Sequence, residues 1–251
     1  MKPNLYQEKH RIMYYETDMT SRLSLGMLLN LAVLVSEDQI DHLHVGTQLL
    51  QGDHIGWVVI QYSIHVNRLP KNNEVVTLST QSKYYNQFLA EREFLIKDAS
   101  GKVCAKIDSN WILLNLRTRK LILIKPDLIK PYGAQLVPVL PHLRRPYPIK
   151  NQHDTVSRIY RVRYSDIDIN HHVNNAKYLN WMCDVLKPYF LVQHVPQDIN
   201  IKFSHEVKYG TNVTSRVKMI KQDSNTVFTR HEITSNHQIS AVANVKWIHK
   251  N

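Results

Sequence analysis

Two apolar stretches with helical spacing, residues 25–40 and 176–190, are each followed by a series of segments in which apolar and polar positions alternate. In the second stretch Tyr178, Leu179, Trp181, Met182, Val185, Leu186 and Phe190 cover most of a helix's circumference, which predicts a helix buried on nearly all sides. Alternation is clearest where Val213, Ser215, Val217 and Met219 oppose Thr214, Arg216, Lys218 and Ile220, the pattern of a sheet packed on one face. The same reading predicts strands over residues 57–67, 74–84, 90–96 and 103–116 after the first helix. After the second it predicts strands over residues 199–208, 212–221, 226–234 and 239–248. Turn-forming residues separate them, as at Lys71-Asn72-Asn73, Ala99-Ser100-Gly101 and Ser235-Asn236-His237.

The two series are one unit written twice. Arg11-Ile12-Met13-Tyr14-Tyr15-Glu16-Thr17-Asp18 matches Arg161-Val162-Arg163-Tyr164-Ser165-Asp166-Ile167-Asp168, and each match precedes its helix. Both series close on an Asn and a Trp, Asn110 with Trp111 and Asn244 with Trp247. Between them lie Pro126, Pro131, Pro138, Pro141, Pro146, Pro148 and Gly133, a density that reads as an extended linker without regular elements. The expected division is an N-terminal domain over residues 1–124, a Pro-rich linker over 125–152 and a C-terminal domain over 153–251. Each domain is expected to be a mostly antiparallel sheet curled around one buried helix, an α+β class.

Composition adds boundaries. At 251 residues and 43% hydrophobic content the chain can bury a sizeable core. The first eleven residues lack the apolar stretch of a signal peptide, and the run from Leu25 to Val35 is too short to span a bilayer. A soluble, cytoplasmic protein is expected. Cys104 and Cys183 have no metal-ligand spacing and read as buried core thiols in a reducing compartment. The formal charge of +11 calls for an anionic partner. Its basic residues are dispersed, and no nucleic-acid-reading motif accompanies them, so an acidic protein is at least as good a candidate as nucleic acid or an anionic membrane.

The densest chemistry lies in residues 164–175, immediately before the second helix. If the segment is extended, Asp168, Asn170 and His172 alternate onto one side. Asn170 can donate to a polarised carbonyl oxygen together with backbone N–H groups at the helix start. His172 can move a proton near neutral pH. Asp168 can orient His172, serve as base for water, or attack directly. His171 has the opposite parity, and both it and Asp166 are expected to support the site or lie exposed. A calcium-loop reading of Asp166, Asp168 and Asn170 fails because His171 and Lys177 stand where Gly and Glu are needed, so no metal or cofactor is expected.

The run Asp168-Ile169-Asn170-His171-His172-Val173-Asn174-Asn175-Ala176-Lys177-Tyr178 resembles the signature of acyl-acyl-carrier-protein (acyl-ACP) thioesterases of plants and bacteria. The resemblance implies a tandem double hot-dog fold and hydrolysis of fatty acyl-ACP to free fatty acid and holo-ACP, ending fatty acid synthesis. It implies acidic acyl carrier protein, with its phosphopantetheine-linked chain, as partner, and leaves homodimerisation open. It adds Glu206, on the strand after the helix, as a fourth catalytic residue. A Cys common in plant members is Val207 here, which argues against thiol chemistry at that position. The first copy aligns Asp18, Thr20, Arg22 and His65 with Asp168, Asn170, His172 and Glu206, and is therefore expected to be catalytically silent and to shape the acyl pocket. An acyl-coenzyme A thioesterase on the same fold is the nearest alternative, and a non-catalytic acyl-binding or regulatory module is the alternative of another class.

Overall fold

The structure is a computed structural model describing residues 3–45, 55–151, 153–169, 171–220, 223 and 225–250. The first half contains β1 (Tyr6–Arg11), α1 (Leu25–His42), β2 (Ile55–Val66), β3 (Val75–Tyr85), β4 (Ala90–Lys97) and β5 (Val103–Asn115). Then come β6 (Leu121–Ile122), α2 (Pro126–Ile129) and β7 (Gln135–Leu136). The second half contains β8 (Thr155–Arg161), α3 (Asn175–Asp184), α4 (Pro188–Gln193), β9 (His194–Phe203), β10 (Asn212–Ile220), β11 (Thr226–Ser235) and β12 (Gln238–His249).

The strands form one sheet in the order β1-β3-β4-β5-β2-β9-β12-β11-β10-β8, with β6 on β5 and β7 on β3. The order reads the same from either end once β8 to β12 are matched to β1 to β5. The two halves meet at the antiparallel seam of β2 and β9, where Tyr62 faces Ile201 and Ile64 faces Ile199. Both copies carry an irregularity at the matching place, between Val59 and Gln61 and between Lys246 and Trp247. This is the double hot-dog architecture.

The helices lie against the sheet and against each other. Leu28, Leu29, Leu31 and Val35 of α1 and Leu179, Trp181 and Met182 of α3 belong to one core that runs through both halves. Each such side chain contributes roughly 1.5–3 kcal/mol by leaving water. Leu34, on the outer face of α1, is exposed. Gly26 permits the close crossing, since a Cβ there would overlap the Asn180 side chain. Ser24 caps α1 by accepting from Met27 N, and Asn174 caps α3 by accepting from Ala176 N.

Two elements differ from the sequence reading. The second helix stops at Asp184, and Pro188 opens α4 at its first turn because Pro lacks the N–H that a continuing helix needs. The proline-rich stretch is not devoid of regular structure. Pro126 starts α2, Ile129 and Tyr132 are buried, and β7 pairs in parallel with β3. Proline is tolerated at a helix start, where its missing N–H would be unpaired anyway. Further on the chain is extended and pinned to the second half, with Tyr147 N donating to Asn244 Oδ1 and Ile149 N donating to Glu232 Oε1. Among the described residues, no helix is long and apolar enough to cross a membrane.

Candidate active site

Residues 167–169 and 171–173 belong to the two arms of a tight hairpin rather than an extended run. Ile167 and Val173 form an antiparallel bridge, Asp168 N donates to His172 O at 2.9 Å, and His171 N donates to Asp168 O at 3.0 Å. His171 takes a left-handed φ of 64° at the turn and is exposed. Asp168 and His172 therefore stand opposite one another, and opposed residues of an antiparallel pair point to one side. The hairpin sets these two residues opposite one another through pairing rather than alternation.

Asp166 is the anchor beneath them. Fully buried, it accepts from Arg163 N at 2.9 Å and lies 3.6 Å from Lys177 Nζ, while its carbonyl accepts from Asn174 N. Its pKa is held below the ordinary value by these hydrogen bonds and by the Arg163 and Lys177 charges, which outweigh the opposing effect of burial. The cap uses N–H groups that the sequence reading assigned to a substrate oxygen: Ala176 N donates to Asn174 Oδ1 and Lys177 N to Asn174 O. Asn170 lies outside the described residues.

Glu206 is not on a strand. Strand β9 ends at Phe203, and Ser204 N and His205 N then both donate to Ser240 O, turning the chain out of the sheet. Val173 N donates to Val207 O at 3.5 Å, which lays this irregular segment against the hairpin. Glu206 Oε2 comes within 3.4 Å of His172 Nδ1, an ion-pair separation without hydrogen-bond geometry.

A residue missed by the sequence reading joins them from the other half. Arg119, in the turn between β5 and β6 with φ of 60°, is ion-paired with Glu206, and its Nη1 lies 3.4 Å from His172 Nε2. No local pattern marks Arg119, because the contact crosses the seam between β2 and β9. This pair of neighbours favours the tautomer with the proton on Nδ1, toward the carboxylate, and the lone pair on Nε2. The imidazole pKa is lowered, first by burial and then by the Arg119 charge, with His171 and Lys208 adding and Asp168 opposing. His172 is thus a neutral base at neutral pH. Among the described residues no group of three or more His, Cys, Asp and Glu side chains could hold a metal ion.

The first half repeats the frame without the chemistry. Asp18 N donates to Arg22 O, Ser21 N donates to Asp18 O, and Ser21 has φ of 58°. Glu16 is buried in the place of Asp166, and its carbonyl accepts from Ser24 N. Backbone contacts correct the counterpart of Glu206. Asn67 N and Arg68 N share Cys104 O, and Leu23 N donates to Pro70 O, so the matching residue is the buried Leu69. His65 lies earlier, on β2, and pairs with Asp198 across the seam at 2.7 Å. The sequence match had followed polar character, whereas the equivalence is fixed by where the chain leaves the sheet.

Comparison with known proteins finds matches along nearly the whole chain. The family models for the acyl-ACP thioesterase N-terminal domain and C-terminal domain match residues 3–132 and 149–249. A Lactobacillus plantarum protein, provisionally described as an oleoyl thioesterase, has a crystal structure that superposes with a TM-score of 0.96 at 39% identity, covering 99% of this chain and 98% of that one. The 12:0-ACP thioesterase from Umbellularia californica shares the fold, with a TM-score of 0.85 at 19% identity over 98% of this chain and 94% of that one. A chloroplastic acyl-[acyl-carrier-protein] hydrolase of Cuphea viscosissima is 28% identical over 180 residues. That match covers 65% of this chain and 44% of the plant protein, less than half its length.

Proposed function

Because the chain belongs to the acyl-ACP thioesterase family, we propose that it hydrolyses fatty acyl-ACP to free fatty acid and holo-ACP, with Asp168, Asn170, His172 and Glu206 as the catalytic residues. The observation that carries this reading is the convergence of Asp168, His172 and Glu206 at the start of α3, with a neutral imidazole whose Nδ1 faces the Glu206 carboxylate.

Hydrolysis of a thioester needs an activated water, a polarised carbonyl and a protonated leaving thiolate. The Nε2 lone pair of His172 takes a proton from water as the water oxygen bonds to the thioester carbon. Glu206, on the Nδ1 side, favours the imidazolium so formed and holds the ring in one orientation. When the carbon–sulfur bond breaks, the same proton passes from Nε2 to the departing sulfur. Asp168, on the same side of the hairpin, positions the water. Asn170 supplies an amide N–H to the carbonyl oxygen, a role that rests on its place in the motif; such a donor is worth about 10²–10³ in rate.

A single turnover in ¹⁸O-labelled water tests the route. Direct attack by water puts the label into the released fatty acid and none into the protein. Label in the Asp168 carboxylate would instead show covalent attack by that residue. Rates on acyl-ACP and on the matching acyl-coenzyme A test the substrate: preference for the coenzyme A thioester would overturn the carrier-protein reading.

A further inference from the structure

A cavity of about 820 Å³ opens beside the hairpin of the first half, at the place that corresponds to the catalytic hairpin of the second. Its volume falls within the roughly 300–1,000 Å³ of small-molecule sites. None of Asp168, His172, Glu206 or Arg119 lines it. Leu25, Leu69, Trp181, Leu191 and Trp247 give it apolar walls. Leu69 is the apolar replacement for Glu206, and Arg22 stands where His172 stands in the other copy. Lys250, just beyond β12, reaches the cavity from the second half, as Arg119 reaches the catalytic hairpin from the first.

Positive charge dominates the polar part of the wall. Of the two carboxylates there, Asp184 is engaged by Arg158 at 3.3 Å and by the Tyr160 hydroxyl at 2.7 Å, and Asp18 accepts from Thr20. Arg163 and Lys177 are both turned to Asp166. Among the described residues, Arg22, Arg161 and Lys250 have no ion-pair partner. Lys250 Nζ donates to Val192 O at 2.7 Å. Arg22 and Lys250 both line the cavity, and the Lys250 pKa is lowered by burial and by the Arg22 charge, with Asp18 opposing.

We propose that this cavity binds a long-chain fatty acid, its carboxylate between Arg22 and Lys250 and its tail against Trp181, Leu191 and Trp247. A single negative charge answers the paired cations, and an alkyl chain answers the apolar walls. The duplicated hairpin has then kept its pocket and exchanged acid–base groups for an anion anchor. The inference stands on the cavity and its charges, independently of hydrolysis; if hydrolysis proceeds as proposed, the ligand is the reaction product.

Titration calorimetry of the full chain with oleate, below its aggregation concentration, tests the site. Wild type should bind saturably, and Arg22→Gln/Lys250→Gln should weaken binding at least tenfold while thioester hydrolysis stays within twofold. Leu191→Glu, which adds a negative charge to the wall, should weaken binding similarly, and circular dichroism reports folding of every variant apart from activity. Methyl oleate, lacking the charge, should bind at least tenfold more weakly than oleate. Arg119→Gln should leave oleate affinity unchanged. The proposal is overturned if wild type does not bind oleate, if methyl oleate binds equally, or if Arg119→Gln rather than the double variant removes binding. Oleate binding without hydrolysis would separate failure of the catalytic reading from failure of this one.

Discussion

Arg119 of the first half is ion-paired with Glu206 of the second, and the His172 ring lies 3.4 Å from both side chains. A single duplicated unit could not assemble this group, because its members come from opposite sides of the seam between β2 and β9. In the proposed mechanism the fused pair of hot dogs is therefore part of the chemistry as well as of the fold.

Replacing Arg119 with Gln should move the acid limb of the kcat/KM profile to higher pH. The Arg119 charge disfavours imidazolium and so lowers the His172 pKa. Without it the ring holds its proton to higher pH, and the unprotonated base is lost sooner as pH falls. Unpairing Glu206 acts in the same direction. A hydrogen-bonded charge is worth about 1.5–3 kcal/mol, so the rate at the optimum should also fall roughly tenfold or more. Arg119→Lys should restore most of the pH shift. An acid limb that stays in place in Arg119→Gln would rule out this coupling.

His172→Ala and Asp168→Asn should each lower kcat by about 10²–10⁴, the usual range for loss of a positioned proton-transfer group. Glu206→Gln should lower kcat less and leave KM near its wild-type value, because it acts through the imidazole. Asp18→Asn, at the matching place in the first half, should leave kcat within twofold. Steady-state kinetics on one acyl-ACP distinguishes the copies, and equal loss from Asp18→Asn and Asp168→Asn would contradict the one-site description.

Much of this was legible in residue patterns. Alternation located β3, β4, β5, β10, β11 and β12 to within a residue or two, because one face of each strand packs into the core. The repeat was legible for a similar reason: Arg11 to Asp18 and Arg161 to Asp168 build the same anchor-and-hairpin frame. Glu206, supplied by the family resemblance rather than by residue pattern, lies beside His172 but was assigned to a strand, since sequence does not mark where Ser204 leaves the ladder. Its counterpart was misassigned to His65 for that reason. Arg119 was invisible because its role depends on a pairing of distant strands, which no local pattern records.

Encounter with an acidic carrier protein should depend on salt. With a formal charge of +11, the chain attracts an anionic partner over about 30 Å at 10 mM salt but only about 8 Å at 150 mM. The kcat/KM on acyl-ACP should therefore fall several-fold across that range, while kcat/KM on a short uncharged thioester stays flat. A flat profile on acyl-ACP would mean that the surface charge serves solubility alone.

His231→Phe should make the protein less sensitive to acid. His231 is fully buried in β11, at the position that Phe94 holds in the first half, and its Nδ1 has no hydrogen-bond partner among the described residues. Nε2 lies 2.8 Å from Thr229 Oγ1, which also accepts from Trp247 Nε1. Burial pushes the imidazole pKa from 6.5 down to about 3. As pH falls below the unfolded value, the unfolded chain gains a proton that the folded chain refuses. Stability is then lost by up to about 1.4 kcal/mol per pH unit until the folded pKa is reached. Between pH 7 and pH 5 this group alone should cost about 2 kcal/mol, and a phenylalanine removes the proton acceptor. The variant itself should lose about 1 kcal/mol at pH 7, because Thr229 gives up its partner. Denaturant midpoints at the two pH values decide the matter: an equal acid-induced loss in wild type and His231→Phe would show that this buried ring is not the group responsible.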